Sequence, residues 1–186
     1  MPTSKQDLRQ LIIDLAVKHG DFTLTSGRKS KYYIDARLIT LHPQGAYLTG
    51  RVLLQELSKA GLLHDLDAVA GMTLGADPMV TSVAIQSRDF PGTKPLVAAM
   101  VRKESKEHGT GKQIEGPIEK GMRVMVLEDT STTGGSSLKA AEALKGMGCI
   151  VLGVLTLIDR QEGARENVEK AGYKFLSAFS IKEFGL

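Results

Sequence analysis

The sequence predicts an α/β fold, a mostly parallel central sheet flanked by helices with a small N-terminal ribbon beside it. Three observations carry that expectation. Four short apolar runs, Asp67 to Ala70, Pro95 to Val101, Val124 to Leu127 and Ile150 to Ile158, are continuous rather than alternating, as strands buried on both faces are. Helical patterns at Pro78 to Ser87 and Ser136 to Met147 separate some of them, and strands alternating with helices build parallel sheets covered on both sides. The 186 residues, 42% of them hydrophobic, suffice for one real core and leave little for a second, so a single domain over 1–186 is expected.

The remaining elements follow in chain order. Leu8, Leu11, Ile12, Leu15 and Ala16 recur at helical spacing behind Ser4 as a cap, which predicts a helix over 4–19 ending near Gly20. Asp21 to Asp35, DFTLTSGRKSKYYID, alternates around Ser26-Gly27 and reads as two short strands joined by a turn. Leu48, Val52, Leu53 and Leu57 share one face of a second helix, Ala46 to Ala60, which Gly61 stops. Gly109 to Glu119, polar and glycine-bearing, is the best candidate for a mobile loop, and Tyr173 to Ile181 adds a last strand.

Composition narrows the function. A net charge of +3, from 24 basic and 21 acidic residues, is too small for a nucleic-acid binder by bulk electrostatics, so any anion site must be local. The single cysteine, Cys149, has no internal disulfide partner and reads as simple burial near a strand start. The polar opening MPTSKQDLRQ lacks the apolar segment of a signal peptide, and no stretch approaches the 18 apolar residues a spanning helix needs. A cytoplasmic protein without membrane partner is expected.

The stretch VMVLEDTSTTGGSS, Val124 to Ser137, holds the most chemistry. It runs from a strand into a helix, and ligands of open α/β sheets sit beyond the carboxyl ends of strands. Ser136 or Ser137 is expected to cap a helix whose face is Leu138, Ala141, Leu144 and Met147, with amides and the positive helix end aimed at the loop. Anions bind at such ends. Thr130, Ser131, Thr132, Thr133, Gly134 and Gly135 supply hydroxyls and closely approachable backbone for phosphate oxygens. Glu128 and Asp129 would repel that phosphate unless they bind ribose hydroxyls, coordinate a hard cation or stabilise a cationic transition state. The plainer alternative is a turn with solvated acids. A Walker loop fits poorly because no Gly-Lys-Ser/Thr closes the stretch, and GxGxxG is absent.

Taken whole, Val124 to Ser136 resembles the thirteen-residue signature of the type I phosphoribosyltransferases, enzymes that use 5-phosphoribosyl 1-diphosphate (PRPP). The resemblance implies that Glu128 and Asp129 hold the ribose hydroxyls and that Thr130 to Ser136 hold the 5-phosphate. VRKESKEHGTGK, with Arg102, Lys103, Lys106 and His108, resembles the catalytic loop of orotate phosphoribosyltransferases, about residues 102–117, which closes over the neighbouring subunit's site in a homodimer. FTLTSGRKSKYYID is similar to that family's N-terminal hood, about residues 1–40, and LIDRQEGA to the segment whose arginine, here Arg160, meets the orotate carboxylate. A strand-end arginine suits a carboxylate through paired charge-assisted hydrogen bonds, whereas its alternative is an ion pair with Asp159 or Glu162. Thr132 carries over as a second orotate contact.

Some positions depart from the enterobacterial pattern. Thr25 stands where a lysine precedes Ser-Gly, with Arg28 and Lys29 following, and GMTLGADP has Leu74 and Gly75 in place of a Tyr-Lys pair. MTLGADP and EDTSTTG together look most like the actinobacterial-type orotate enzymes. Backbone amides around Thr73 to Ala76 and Mg²⁺ are then expected to hold pyrophosphate; the metal is carried mainly by PRPP, with no direct protein ligand assigned. Tyr32 and Tyr33 have ribbon packing as their alternative role.

The implied reaction joins orotate to PRPP, giving orotidine 5′-monophosphate and pyrophosphate in UMP biosynthesis. Lys106, His108 and Asp129 are the expected catalytic groups, Lys106 ahead of His108 in assisting pyrophosphate departure, and Asp129 favouring the developing sugar cation. The signature is shared, so another purine or pyrimidine phosphoribosyltransferase is one rival. A non-catalytic PRPP-sensing regulator is the other, and such regulators need a nucleic-acid surface for which there is no room before Asp21.

Overall fold

A computed structural model describes residues 5–23, 29–103 and 112–186. Its main sheet has six strands: β3 (Ala68–Met72), β4 (Val97–Val101), β5 (Ile114–Glu115), β6 (Arg123–Ser131), β7 (Ile150–Asp159) and β8 (Lys174–Ser180). They lie in the order β5-β4-β3-β6-β7-β8, all neighbours parallel except the edge pair β4–β5. A two-stranded antiparallel ribbon, β1 (Val17–Thr23) and β2 (Lys29–Ile34), forms the separate small sheet. The expected fold class is what the chain adopts.

Helices cover both faces because β6 sends alternate side chains to opposite sides. Met125 and Leu127 join one core with α1 (Lys5–Leu15), α3 (Pro43–Lys59) and α4 (Asp77–Ser87). Val124 and Val126 join the other, with α5 (Gly135–Gly146) and α6 (Ala164–Lys170). All four are fully buried, each worth roughly 1.5–3 kcal/mol against exposure. Having both faces covered is why these runs read as continuous apolar stretches.

The order of strands matters for function. From β3 the chain moves outward to β4, then returns on the other side of β3 to place β6, so the connections diverge at the carboxyl ends of β3 and β6. That switch point leaves a crevice open to ligands.

Several expectations need correction. The first helix stops at Leu15, not near Gly20, because β-branched Val17 pairs with Ile34 and the Ala16 carbonyl accepts from the Asp35 amide at 3.1 Å. Gly20 therefore lies inside a strand. The second long helix starts at Pro43, three residues before Ala46, since proline suits a first turn and His42 Nδ1 accepts from the Gly45 amide at 3.3 Å. One helical turn, α2 (Arg37–Thr40), and α6 carry no pattern long enough to be anticipated. Part of the stretch read as a loop, Gly109 to Glu119, is the edge strand β5; two residues are too few for a periodic signal. Ser4, Thr25, Ser26-Gly27, Arg28, Lys106 and His108 lie outside the described residues.

Candidate active site at the β3–β6 switch point

Pairing with β3 ends at Leu127, and pairing with β7 alone carries β6 on through Ser131, with Thr130 beside Ile158 and Ser131 beside Asp159. Glu128 and Asp129 are thus strand residues rather than loop residues, and adjacent strand residues point to opposite faces. Glu128 faces α5, where Ser137 Oγ donates to its Oε2 at 2.8 Å. Asp129 turns toward the hood and the loop after β3.

The expected serine cap is absent. Gly134, in the left-handed region at φ +79°, occupies the cap position of α5, Ser136 is exposed, and Ser137 spends its hydroxyl on Glu128. Glycine is needed there: the φ strains any L side chain, and a Cβ would come within 3.1 Å of Val168 Cγ2. With no side-chain acceptor taking the first-turn amides of α5, they and the positive helix end are left for an anion. Glu128, Thr130, Ser131, Thr132, Thr133, Gly134, Gly135 and Ser136 line a cavity of about 320 Å³ around that end. Asn167 Nδ2 donates to the Thr133 carbonyl at 2.9 Å and fixes the far side of the loop.

A second cavity, about 480 Å³, opens on the Asp129 side. Thr130, Thr132 and Thr133 belong to both, so the two are joined through the loop. Arg160 forms one wall. It is only 8% exposed, its Nε donates to Glu162 Oε1 at 2.8 Å, and its guanidinium stacks 5.1 Å from the Tyr32 ring centroid. The ion-pair alternative for Arg160 is therefore real with Glu162, but as a buried orienting contact rather than a surface pair. Tyr32 supports Arg160, while Tyr33 packs on Phe22 with centroids 5.7 Å apart.

Burial dominates the electrostatics. Glu128 is pushed up to about 8, first by loss of solvent and then by the Asp129 charge, with Ser137 opposing. Asp129 is also raised by burial, offset by the Thr130 amide, which donates to Oδ1 at 2.7 Å, and by the more distant Arg37 charge. Pushed up to about 8, Glu128 is the acid of the pair that keeps its proton near neutral pH, and hydroxyl donors from a diol would favour its ionisation.

The loop after β3 meets this pair directly. A Cβ on Gly75 would lie 2.8 Å from Asp129 Oδ2, so glycine is what permits the approach. Leu74, at 75% exposure, points away from the core. Arg102 and Lys103 are not brought into either cavity: Arg102 Nε pairs with Glu115 Oε1 at 3.3 Å, and Lys103 borders a larger hollow of about 790 Å³ flanking α5. That hollow lacks the acid pair and the free amides, so size does not make it the reactive site. Lys29, at the start of β2, is exposed, and Cys149 is buried with Sγ near the Glu119 carbonyl at 3.5 Å.

Among the described residues no group of three or more His, Cys, Asp or Glu side chains comes together as a metal cage. Glu128 and Asp129 do offer hard carboxylate oxygens, which suit a Mg²⁺ ion receiving most of its shell from a ligand's phosphates. No helix among the described residues is long and apolar enough to cross a membrane. Sequence reasoning missed Ser137 as a partner of Glu128, Lys139 on the rim of the cavity at the head of α5, and Asp35 and Arg37 on the wall of the other. Only the proximity of Lys139 to the glycines signalled any of these.

The family model of the phosphoribosyl transferase domain matches residues 45–184. An orotate phosphoribosyltransferase of Nostoc sp. is 46% identical over 182 residues, 97% of this chain and 85% of the relative. Among solved structures, the Mycobacterium tuberculosis orotate phosphoribosyltransferase in complex with PRPP aligns with a TM-score of 0.81 and 38% identity, covering 100% of both chains. A Corynebacterium diphtheriae phosphoribosyltransferase aligns at 0.84 and 37%, again over both whole chains.

Proposed function

The chain belongs to the orotate phosphoribosyltransferases of the type I phosphoribosyltransferase family, and on that premise we propose how its cleft joins orotate to PRPP, releasing pyrophosphate and orotidine 5′-monophosphate for UMP synthesis. The observation that carries the reading is the pairing of a cap-free α5 amino end with two acids on adjacent strand positions, Glu128 buried and Asp129 half-buried. In this reading Thr130 to Ser136 cradle the 5-phosphate, and Glu128 and Asp129 accept hydrogen bonds from the ribose diol. As pyrophosphate leaves, positive charge grows on the sugar ring, and Asp129 stabilises it without reorganising. Arg160 and Thr132 hold orotate so that its ring nitrogen faces the anomeric carbon.

Mg²⁺, held mainly by PRPP with the Glu128 and Asp129 carboxylates as the available protein oxygens, would supply positive charge against the departing pyrophosphate. Without the Tyr-Lys pair, the expected cradle of amides narrows: the Thr73 amide donates to the Val101 carbonyl at 2.9 Å and that of Ala76 to Met72 at 3.2 Å, so the Leu74 and Gly75 amides are the ones left to bind that group, close to Asp129. Arg102, Lys103, Lys106 and His108 belong to the loop that covers the partner's site in a homodimer, with Lys106 assisting departure and closure excluding water. Tyr47 on α3, Ile85 on α4 and Leu74 in the loop after β3 are exposed apolar side chains, surface of the kind a second copy would cover in such a homodimer. The ribbon and α1 act as the hood of a single cytoplasmic domain that binds no nucleic acid.

Loss of orotate absorbance tests the function: it should require PRPP and magnesium together, and equal turnover of adenine or uracil would overturn the assignment. Sharing of sites is tested by mixing inactive Arg102→Ala and Asp129→Asn proteins. Hybrid dimers should recover part of the activity, and no recovery after confirmed subunit exchange would place each site within one chain.

A further inference from the structure

We infer that Arg37 is a second cation of the base cavity, donating to a ring carbonyl oxygen of an anionic pyrimidine from the hood side while Arg160 takes its carboxylate from the sheet side. This deepens the orotate reading and rests on it.

The two arginines reach the same cavity of about 480 Å³ from different parts of the fold. Arg160 follows the end of β7, and Arg37 opens α2 directly after the ribbon. Each is oriented by an acid of its own. Arg37 Nε donates to Asp35 Oδ1 at 2.9 Å and Nη2 to Oδ2 at 3.0 Å, while the Arg37 amide also donates to Oδ1 at 3.1 Å. Asp35 is in turn tied to the core side, its amide donating to the Ala16 carbonyl at 3.1 Å. The fork thus spends two nitrogens on Asp35 and leaves Nη1 for whatever enters.

A purely structural role accounts poorly for this arrangement. The Arg37 side chain is 52% exposed, and ion pairs at that exposure contribute little to stability. Bidentate pairing instead fixes direction, which matters where a planar ligand is recognised. Guanidinium groups have donors and no acceptors. A ligand lying between two of them must therefore present acceptors at both ends, and orotate does so with its carboxylate on one side and ring carbonyl oxygens on the other. The pairing with Asp35 also keeps Arg37 from adding an uncompensated positive charge beside a sugar that becomes cationic.

The test compares wild type with Arg37→Ala, Arg37→Lys and Asp35→Asn in steady-state assays, alongside thermal unfolding and direct titration with orotate. Arg37→Ala should raise the KM for orotate about 10- to 100-fold, the range for losing one charge-assisted hydrogen bond, with the KM for PRPP unchanged and Tm held. Arg37→Lys should recover part of the loss, and Asp35→Asn should shift the same constant by less. An unchanged orotate KM with a lowered Tm would reduce Arg37 to a hood-stabilising pair, and a raised PRPP KM would assign the cation to the sugar donor; either result overturns the proposal. Failure of the orotate reading itself would show separately, as absence of orotate turnover by the wild type.

Discussion

The two joined cavities are built by opposite means. The one at the head of α5 relies on backbone: amides, hydroxyls and a left-handed glycine, all from one unbroken stretch of chain. The one under the hood relies on side-chain charge, with Arg37 and Arg160 each held by a nearby acid and brought together from positions far apart in sequence. Backbone recognition tolerates a ligand that is always the same, a terminal phosphate. Side-chain recognition is what single substitutions can change to choose a base.

That contrast can be broken from either side. Asp129→Asn sits where the cavities meet and should have the largest effect, lowering kcat on the order of 10²–10³-fold through lost stabilisation of the sugar cation, as read in single-turnover assays. A small change would mean the acid pair serves binding alone. Arg160→Ala should raise the KM for orotate about 100-fold, with PRPP affinity by titration nearly unaltered, since a buried, oriented charge is lost on the base side only. Gly75→Ala should cost about tenfold in kcat/KM, because the added Cβ would displace the Asp129 carboxylate while leaving the core intact.

The smallest effect concerns stability rather than rate. Glu128 is raised from its ordinary 4.5 to about 8 in the folded protein, so the folded state holds a proton that the unfolded state releases. Its contribution to stability is complete below about 4.5, declines as pH rises, and is gone above about 8. The ligand-free protein should therefore lose Tm across that window, Glu128→Gln should flatten the slope, and an identical slope in the variant would refute the buried-proton account.

How much was legible in the sequence follows from the same contrast. Strands buried on both faces advertise themselves as continuous apolar runs, and the amide cradle is one contiguous motif, so the sheet and the cavity at the head of α5 could be read residue by residue. Where β6 ends could not, because pairing with Ile158 and Asp159 extends it over polar residues that carry no strand signal. Nor could the role of Ser137, which reads as a helix cap but reaches back to Glu128 once the strand is longer. Arg37 and Asp35 were invisible for a different reason: their meaning depends on the ribbon folding over the carboxyl ends of β6 and β7, a long-range event with no local trace. The early end of α1 belongs to the same class, since only the ladder to Ile34 turns Val17 out of its helical pattern.

The account stands on where the sugar donor lodges, and a crystal structure of the protein soaked with PRPP and magnesium tests this most directly. The expected density has the 5-phosphate on the amides of Thr132 to Ser136 and the ribose diol within hydrogen-bond reach of Glu128 and Asp129. Donor density elsewhere, such as in the lysine-bordered hollow flanking α5, would contradict it.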